Sequence, residues 1–216
     1  MNNFKFIAAI ILLGFSSAVC SADPVDLSGS LLTGDGLEAG GSWDGDTGVF
    51  AIEWTISLID HSYWHYEYRL SANSSPGLSH FILQVSNNFT ENDFWNLSSG
   101  INAYLNTYDG QDPSNPGMPD SIYGLKFEDL KIVAAAGILG DAEEWQWTCS
   151  FDSLREPMWG NFYAKGGTDS FAYNTGLNDG IDFIAVPDTV AVPVPAAVLL
   201  GMLGMLIAGI KLRKYT

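Results

Sequence analysis

The sequence predicts an all-β protein, an antiparallel β-sandwich of jelly-roll type, and three observations lead there. Two adjacent segments alternate apolar and polar residues with strict period two. Further short apolar runs of strand length follow, separated by turn-forming segments such as SANSSPG and DGQDPSNPGMPD. Between the terminal regions, only 91–97 and 126–130 read as short helical pieces. A strand with one apolar face needs a second layer to cover it, so many such strands imply stacked sheets.

Taken in order, residues 23–48 are rich in Gly, Ser and Asp and read as an irregular lead-in. Next, Phe50, Ile52, Trp54, Ile56 and Leu58 fall on one face, with Ala51, Glu53, Thr55 and Ser57 on the other. After a tight corner at Asp60 and His61, Trp64, Tyr66, Tyr68 and Leu70 repeat the pattern, which predicts an antiparallel hairpin. Further strands are expected at 79–86, 100–107, 122–127, 130–135, 145–151, 161–164, 170–174 and 181–186. In EEWQWTCSF the apolar phase is Trp145, Trp147, Cys149 and Phe151, so Cys149 is expected to be a buried, inert thiol.

Both ends of the 216-residue chain differ from this middle. Lys5, the ten-residue apolar run 6–15 and the small residues after it have the plan of a secretory signal peptide, too short to span a membrane. A cut after Ala22 fits, with Cys20 and Ala22 as the small residues at −3 and −1. Lipidation at Cys20 is the alternative, but Val19 before it is bulky for that chemistry. The cut leaves Cys149 alone, so no disulfide forms within the chain. The organisation expected is therefore a signal peptide at 1–22, an ectodomain at 23–188 and a C-terminal segment at 189–216.

Charge is concentrated in the ectodomain. All 25 Asp and Glu lie there against five basic residues, a formal charge of −20. Such a body repels phosphate backbones, which argues against nucleic acid as a partner. It suits solubility, cations or basic partners.

Within the ectodomain no residue pattern marks a catalytic centre: no G-x-S-x-G elbow, P-loop or H-E-x-x-H motif occurs. His61, Tyr63, His65, Glu67 and Arg69 share one strand face. Although His65 and Glu67 could ligate a metal, this reads as the solvent face of that strand. The loop from Asp109 to Asp120 offers hard oxygen donors, and Asp109, Asp112 and Asp120 are its calcium candidates, with Gln111 and Asn115 beside them. The loop lacks EF-hand spacing and holds three prolines, so it reads first as a solvated turn; DGDTG at 44–48 reads the same way. Of the seven Trp, those in strand phase read as core, whereas Trp43, Trp95 and Trp159 sit near Gly, Asn or Pro and are candidates for stacking on a sugar.

The C-terminal segment reads VPVPAAVLLGMLGMLIAGIKLRKYT from Val192. Its prolines cannot continue a sheet interior and make a short extended spacer. Residues 196–210 are 15 uncharged residues, about 22 Å of helix against a hydrocarbon core of ~30 Å. Counting from Val192 gives 19 residues, and Lys211 and Arg213 can snorkel, so a span is feasible. The basic residues Lys211, Arg213 and Lys214 place the tail on the cytoplasmic side and the acidic body across the membrane.

This stretch resembles the PEP-CTERM class of bacterial sorting signals, in its VPxPA variant. The resemblance implies a recognition motif of Val192, Pro193, Val194, Pro195 and Ala196, a helix over 199–210, and a basic stop of Lys211, Arg213 and Lys214. It also implies a partner, an exosortase-type membrane transpeptidase. The protein would then be exported through the inner membrane, transiently anchored by the helix, and delivered to the cell surface or an exopolysaccharide matrix. On this reading the chain is the substrate of an enzyme and is itself non-catalytic, with no cofactor. A carbohydrate-binding module of the same matrix is the first alternative, and a secreted glycan hydrolase the second.

Overall fold

The structure is a computed structural model that describes residues 27–187, apart from 47, 75–76, 133–138, 140–143 and 168. The signal peptide with Cys20 and Ala22, the VPVPA motif and the basic stop all lie outside the described residues.

Thirteen strands are described, and they confirm an all-β fold. They are β1 (Leu27–Thr33), β2 (Gly36–Gly40), β3 (Phe50–Ile59), β4 (Tyr63–Ala72), β5 (Leu78–Gln84), β6 (Phe94–Trp95) and β7 (Asn102–Tyr108), then β8 (Ile122–Glu128), β9 (Trp145–Ser153), β10 (Pro157–Gly160), β11 (Phe162–Gly166), β12 (Phe171–Asn174) and β13 (Ile184–Pro187). Eleven form one curled sheet in the order β6-β9-β4-β3-β1-β2-β12-β11-β5-β8-β7, and β10 pairs with β13 separately. No helix among the described residues is long and apolar enough to cross a membrane.

The predicted hairpin is the longest pairing, with β3 and β4 in register from Phe50↔Ala72 to Ile59↔Tyr63. Its corner works because Asp60 and His61 both adopt positive φ (49° and 53°), and Ser62 N–H closes the turn on the Ile59 carbonyl at 2.9 Å. That handedness matches the twist of the strands it joins. β9 adds to β4, so Tyr68 stands opposite Cys149 and Tyr66 opposite Phe151.

The two halves of the curl face each other. Tyr68 of β4 meets Phe81 of β5 with ring centroids 5.6 Å apart, and Phe151 of β9 meets Phe127 of β8 at 5.7 Å. Phe81 and Phe127 stack at 5.7 Å, closing a ring of aromatic contacts across the interior. All four side chains are fully buried, each contributing about 1.5–3 kcal/mol by leaving water. β13 is drawn onto this core by Tyr68, whose hydroxyl donates to the Ala185 carbonyl at 2.8 Å. Cys149 is a free thiol in the same core, and burial pushes it well above the usual thiol range. The expectation of an inert cysteine holds.

Four sequence expectations need correction. The lead-in is not irregular: it holds β1 and β2. Glycines hide the first strand's alternation, yet Gly29 is required, because Trp54 lies across it and a Cβ there would sit 2.2 Å from the indole. The chain then turns sharply through Gly34 and Gly36 (φ 84° and 80°), so β1 pairs with β3 while β2 pairs with β12. This corner joins the two halves of the sheet. The helical piece at 126–130 is overturned, since Lys126 to Glu128 belong to β8. At 91–97 only the single 3-10 turn Glu91–Asp93 forms, followed by β6. Of 130–135, the described part contributes one isolated bridge, Ile132↔Trp147.

Replacing Gly29 by Val should lower the urea midpoint by the equivalent of about 1–3 kcal/mol, because the indole of Trp54 must move. The exposed neighbour substitution Ser30→Val should change stability by less than about 0.5 kcal/mol. Equal effects from both would show that Trp54 does not depend on this glycine.

Candidate functional site

The three tryptophans proposed for sugar contact have different fates. Trp43 is 0% exposed, packed on Phe50 with centroids 4.6 Å apart and lying over Gly166. The sugar reading of Trp43 is therefore corrected. The 3-10 turn Gly41–Trp43 carries it inward, and Gly166, where a Cβ would sit 2.7 Å from the indole, makes room for the ring.

Trp159 is 58% exposed on β10, the strand that pairs only with β13 among the described residues. It stands between two shallow grooves. One, of about 280 Å³, is lined by Leu31, Trp159, Ile181, Asp182 and Phe183. The other, of about 310 Å³, is lined by Leu27, Pro157, Met158, Trp159 and Ala185. On this two-stranded ribbon Gly160 and all of β13 are buried, whereas Met158 and Trp159 are both exposed, although their partners Val186 and Ala185 are not. Ile181, 87% exposed, extends the apolar surface. Asp182 gives it a polar rim, and its carboxylate accepts from the Thr175 hydroxyl at 2.7 Å.

Trp95 is partly buried on β6 and lies in a second aromatic and polar cluster. Its ring approaches Tyr63 with centroids 5.6 Å apart. Trp95 and His65 both stand opposite Asp152, from the two strands that flank β9. His65 Nδ1 lies 2.6 Å from Asp152 Oδ1, and Asn96 donates from Nδ2 to Asp152 Oδ2 at 2.6 Å. The face carrying Tyr63, His65, Glu67 and Arg69 is the outer, polar one, as expected, and Arg69 pairs there with Glu53 at 3.2 Å. His61 lies outside it, in the hairpin turn. Sequence reasoning missed Asp152 and Asn96, because their meeting with His65 depends on pairing between strands far apart in the chain.

The calcium candidates are not assembled into a site. Asp109 Oδ1 accepts from the amides of Gln111 and Asp112 at 2.9 and 3.2 Å. Asp112 accepts from Ser114 N–H at 2.8 Å, which holds its carboxyl below the usual range, and Asp120 accepts from Ser121 N–H at 2.7 Å. These carboxylates build the turns of their own loop. Among the described residues, no group of three or more His, Cys, Asp or Glu is placed to hold a metal ion.

What the loop does hold is His80. This buried imidazole donates from Nε2 to Asn115 Oδ1 at 3.1 Å, while Asn115 donates from Nδ2 to the Asp109 carbonyl at 3.2 Å. The direction follows from the Asn115 amide, whose NH2 is already engaged. Burial, with the positive charge of Lys126 nearby, lowers the His80 pKa from 6.5 to about 4. Between those values the unfolded chain takes up a proton that the folded protein excludes, so stability falls as pH drops from about 6.5 toward 4. The full loss should approach about 3 kcal/mol. Urea titrations at pH 7 and pH 4.5 should show this, and His80→Gln should flatten the difference. Parallel slopes for both proteins would refute the role of His80.

No family model matches the chain, and no curated protein matches it. Among solved structures it is similar to the crystal structure of the KRT10-binding region domain of the pneumococcal serine rich repeat protein PsrP. Identity is 12%, the TM-score 0.24, and the match covers 76% of this chain and 100% of that one. At that TM-score the likeness carries no argument, and the all-β assignment stands on the strand pairing itself.

Proposed function

We propose that the protein is an exported, non-catalytic component of the cell surface or of an exopolysaccharide matrix. Its ectodomain, 23–188, is a jelly-roll-like β-sandwich, and 189–216 is a sorting signal taken by an exosortase-type membrane transpeptidase. The observation that carries this reading is one of order. Shortly after β13 ends at Pro187 come Val192-Pro193-Val194-Pro195-Ala196, the uncharged run 196–210, and the basic residues Lys211, Arg213 and Lys214. A helix of about 22 Å resides in a bilayer without settling deeply, which suits a transient anchor. The leader cut after Ala22 supplies the export step.

Intact-mass analysis of the surface protein tests the sorting step. The mature form should begin at Asp23 and lack the residues beyond the motif. Replacing Pro193 and Pro195 by Ala should leave the full tail in place and the protein in the membrane fraction. A tail retained equally in the parent and the variant would overturn the sorting reading.

A second reading, carbohydrate binding in that matrix, is favoured by the exposed Trp159 between its two grooves. The aromatic face offers a platform for the C–H face of a sugar ring. The −20 charge of the ectodomain and Asp182 in the groove select neutral or amino sugars over hexuronates. On a panel of neutral hexose, N-acetylhexosamine and hexuronate oligomers, the protein should bind the first or second class. Trp159→Ala should weaken that binding at least 10-fold, and an unchanged affinity would remove Trp159 from the reading.

A further inference from the structure

We infer that the outer face of β4, β9 and β6 carries a second, pre-organised saccharide subsite made by Tyr63, His65, Trp95, Asn96 and Asp152. It rests on the carbohydrate reading above but uses a different surface. Register creates it: Asp152 stands between His65 and Trp95 on adjacent strands, so the three side chains share one face.

Asp152 is the reason the cluster is more than a polar surface. Its side chain is only 6% exposed although it lies on the solvent side of the sheet. A carboxylate withdrawn from water is costly unless it is fully bonded. Here each oxygen has a partner at 2.6 Å, the His65 imidazole on one and the Asn96 amide on the other. An ionised carboxylate only accepts, so the imidazole proton sits on Nδ1. In the neutral ring Nε2 is then an acceptor, and nothing among the described residues bonds it. His65 is 38% exposed at its side chain. Asp152 is therefore a positioning residue that sets the tautomer and orientation of His65.

The aromatic side of the cluster is held from both directions. Upstream, Thr90 N–H and Oγ1 donate to Asp93 Oδ2 at 2.7 and 2.8 Å. Arg155 clamps the same carboxylate, with Nε 3.0 Å from Oδ1 and Nη2 3.2 Å from Oδ2. Ser153 Oγ adds a bond to the Asp93 carbonyl at 2.6 Å. Downstream, Ser98 N–H donates to the Ser150 carbonyl at 2.8 Å, and Ser150 N–H to Ser98 Oγ at 3.0 Å. Between these anchors Asn96 adopts a left-handed backbone (φ 51°), a strained state that turns its amide onto Asp152. Such fixing lowers the ordering cost of binding.

The chemistry that fits is one neutral sugar residue. Its C–H face would lie in the corner between Trp95 and Tyr63, with a hydroxyl donating to His65 Nε2 and the Asn96 Oδ1 accepting a second. Hexuronates are disfavoured by the surrounding negative charge.

The test uses the full chain in detergent micelles, the oligomer panel named above, and titration calorimetry with the best neutral oligomer. Trp95→Ala and His65→Ala should each weaken binding at least 10-fold while near-UV circular dichroism stays that of the parent. His65→Gln should recover part of the loss, and Asp152→Asn should weaken binding several-fold through His65. Binding that survives in Trp95→Ala and His65→Ala but is lost in Trp159→Ala overturns this subsite and leaves the carbohydrate reading standing. No binding to any oligomer overturns both. Loss in Trp95→Ala and His65→Ala with Trp159→Ala unchanged supports the subsite and removes the Trp159 surface.

Discussion

The contact between Phe151, Phe127, Phe81 and Tyr68 ties the two halves of the curled sheet together, and the rest of the structure is arranged around it. Each half-sheet presents an aromatic inner face that neither could leave in water, and covering one with the other is what curls the sheet. The contact chain is continuous, at 5.6–5.7 Å between successive ring centroids, so strands from both ends of the sheet order share one core. Tyr68 adds a directional element. Its buried hydroxyl requires an acceptor, and the Ala185 carbonyl supplies it, which fixes β13 and with it the β10–β13 ribbon.

That arrangement determines where chemistry is possible. With the inner faces committed to packing, polar and aromatic groups on the outer face are free to meet ligands. The ribbon leaves Trp159 in solvent while the β13 residues opposite it are buried. The opposite fate of Trp43 has the same cause. It lies where the sheet closes, against Phe50 and Gly166, and has no route outward. Similar local sequence, Gly and Asp or Pro nearby, thus leads to a core ring in one place and a surface ring in another.

The hairpin from Phe50 to Ala72 was legible because alternation over ten residues on each side is a strong periodic signal. The buried thiol of Cys149 was legible for the same reason. β1 was not, because Gly29 interrupts the apolar phase between Leu27 and Leu31, and the demand for glycine comes from Trp54 on the neighbouring strand. The segment at 126–128 looked helical from its short local pattern, but Leu125 and Phe127 alternate into the core once β5 and β7 pair on either side. The acidic loop at 109–120 showed its oxygens in the sequence. That these close turns, and that Asn115 secures His80, depends on backbone geometry no spacing reveals.

By itself, then, the sequence determined the all-β class, the main hairpin, the acidic body between two apolar termini, and the order of motif, apolar run and basic residues in the tail. Those are properties of local periodicity and composition, carried by neighbours along the chain. Tertiary structure alone decided which tryptophans reach solvent, and it alone brought His65, Trp95, Asn96 and Asp152 together. These residues are up to 87 positions apart, and only the register of β4 and β6 on β9 makes them neighbours. Register is set by packing the aromatic core, so the composition of the outer face is a consequence of what the inner face had to bury.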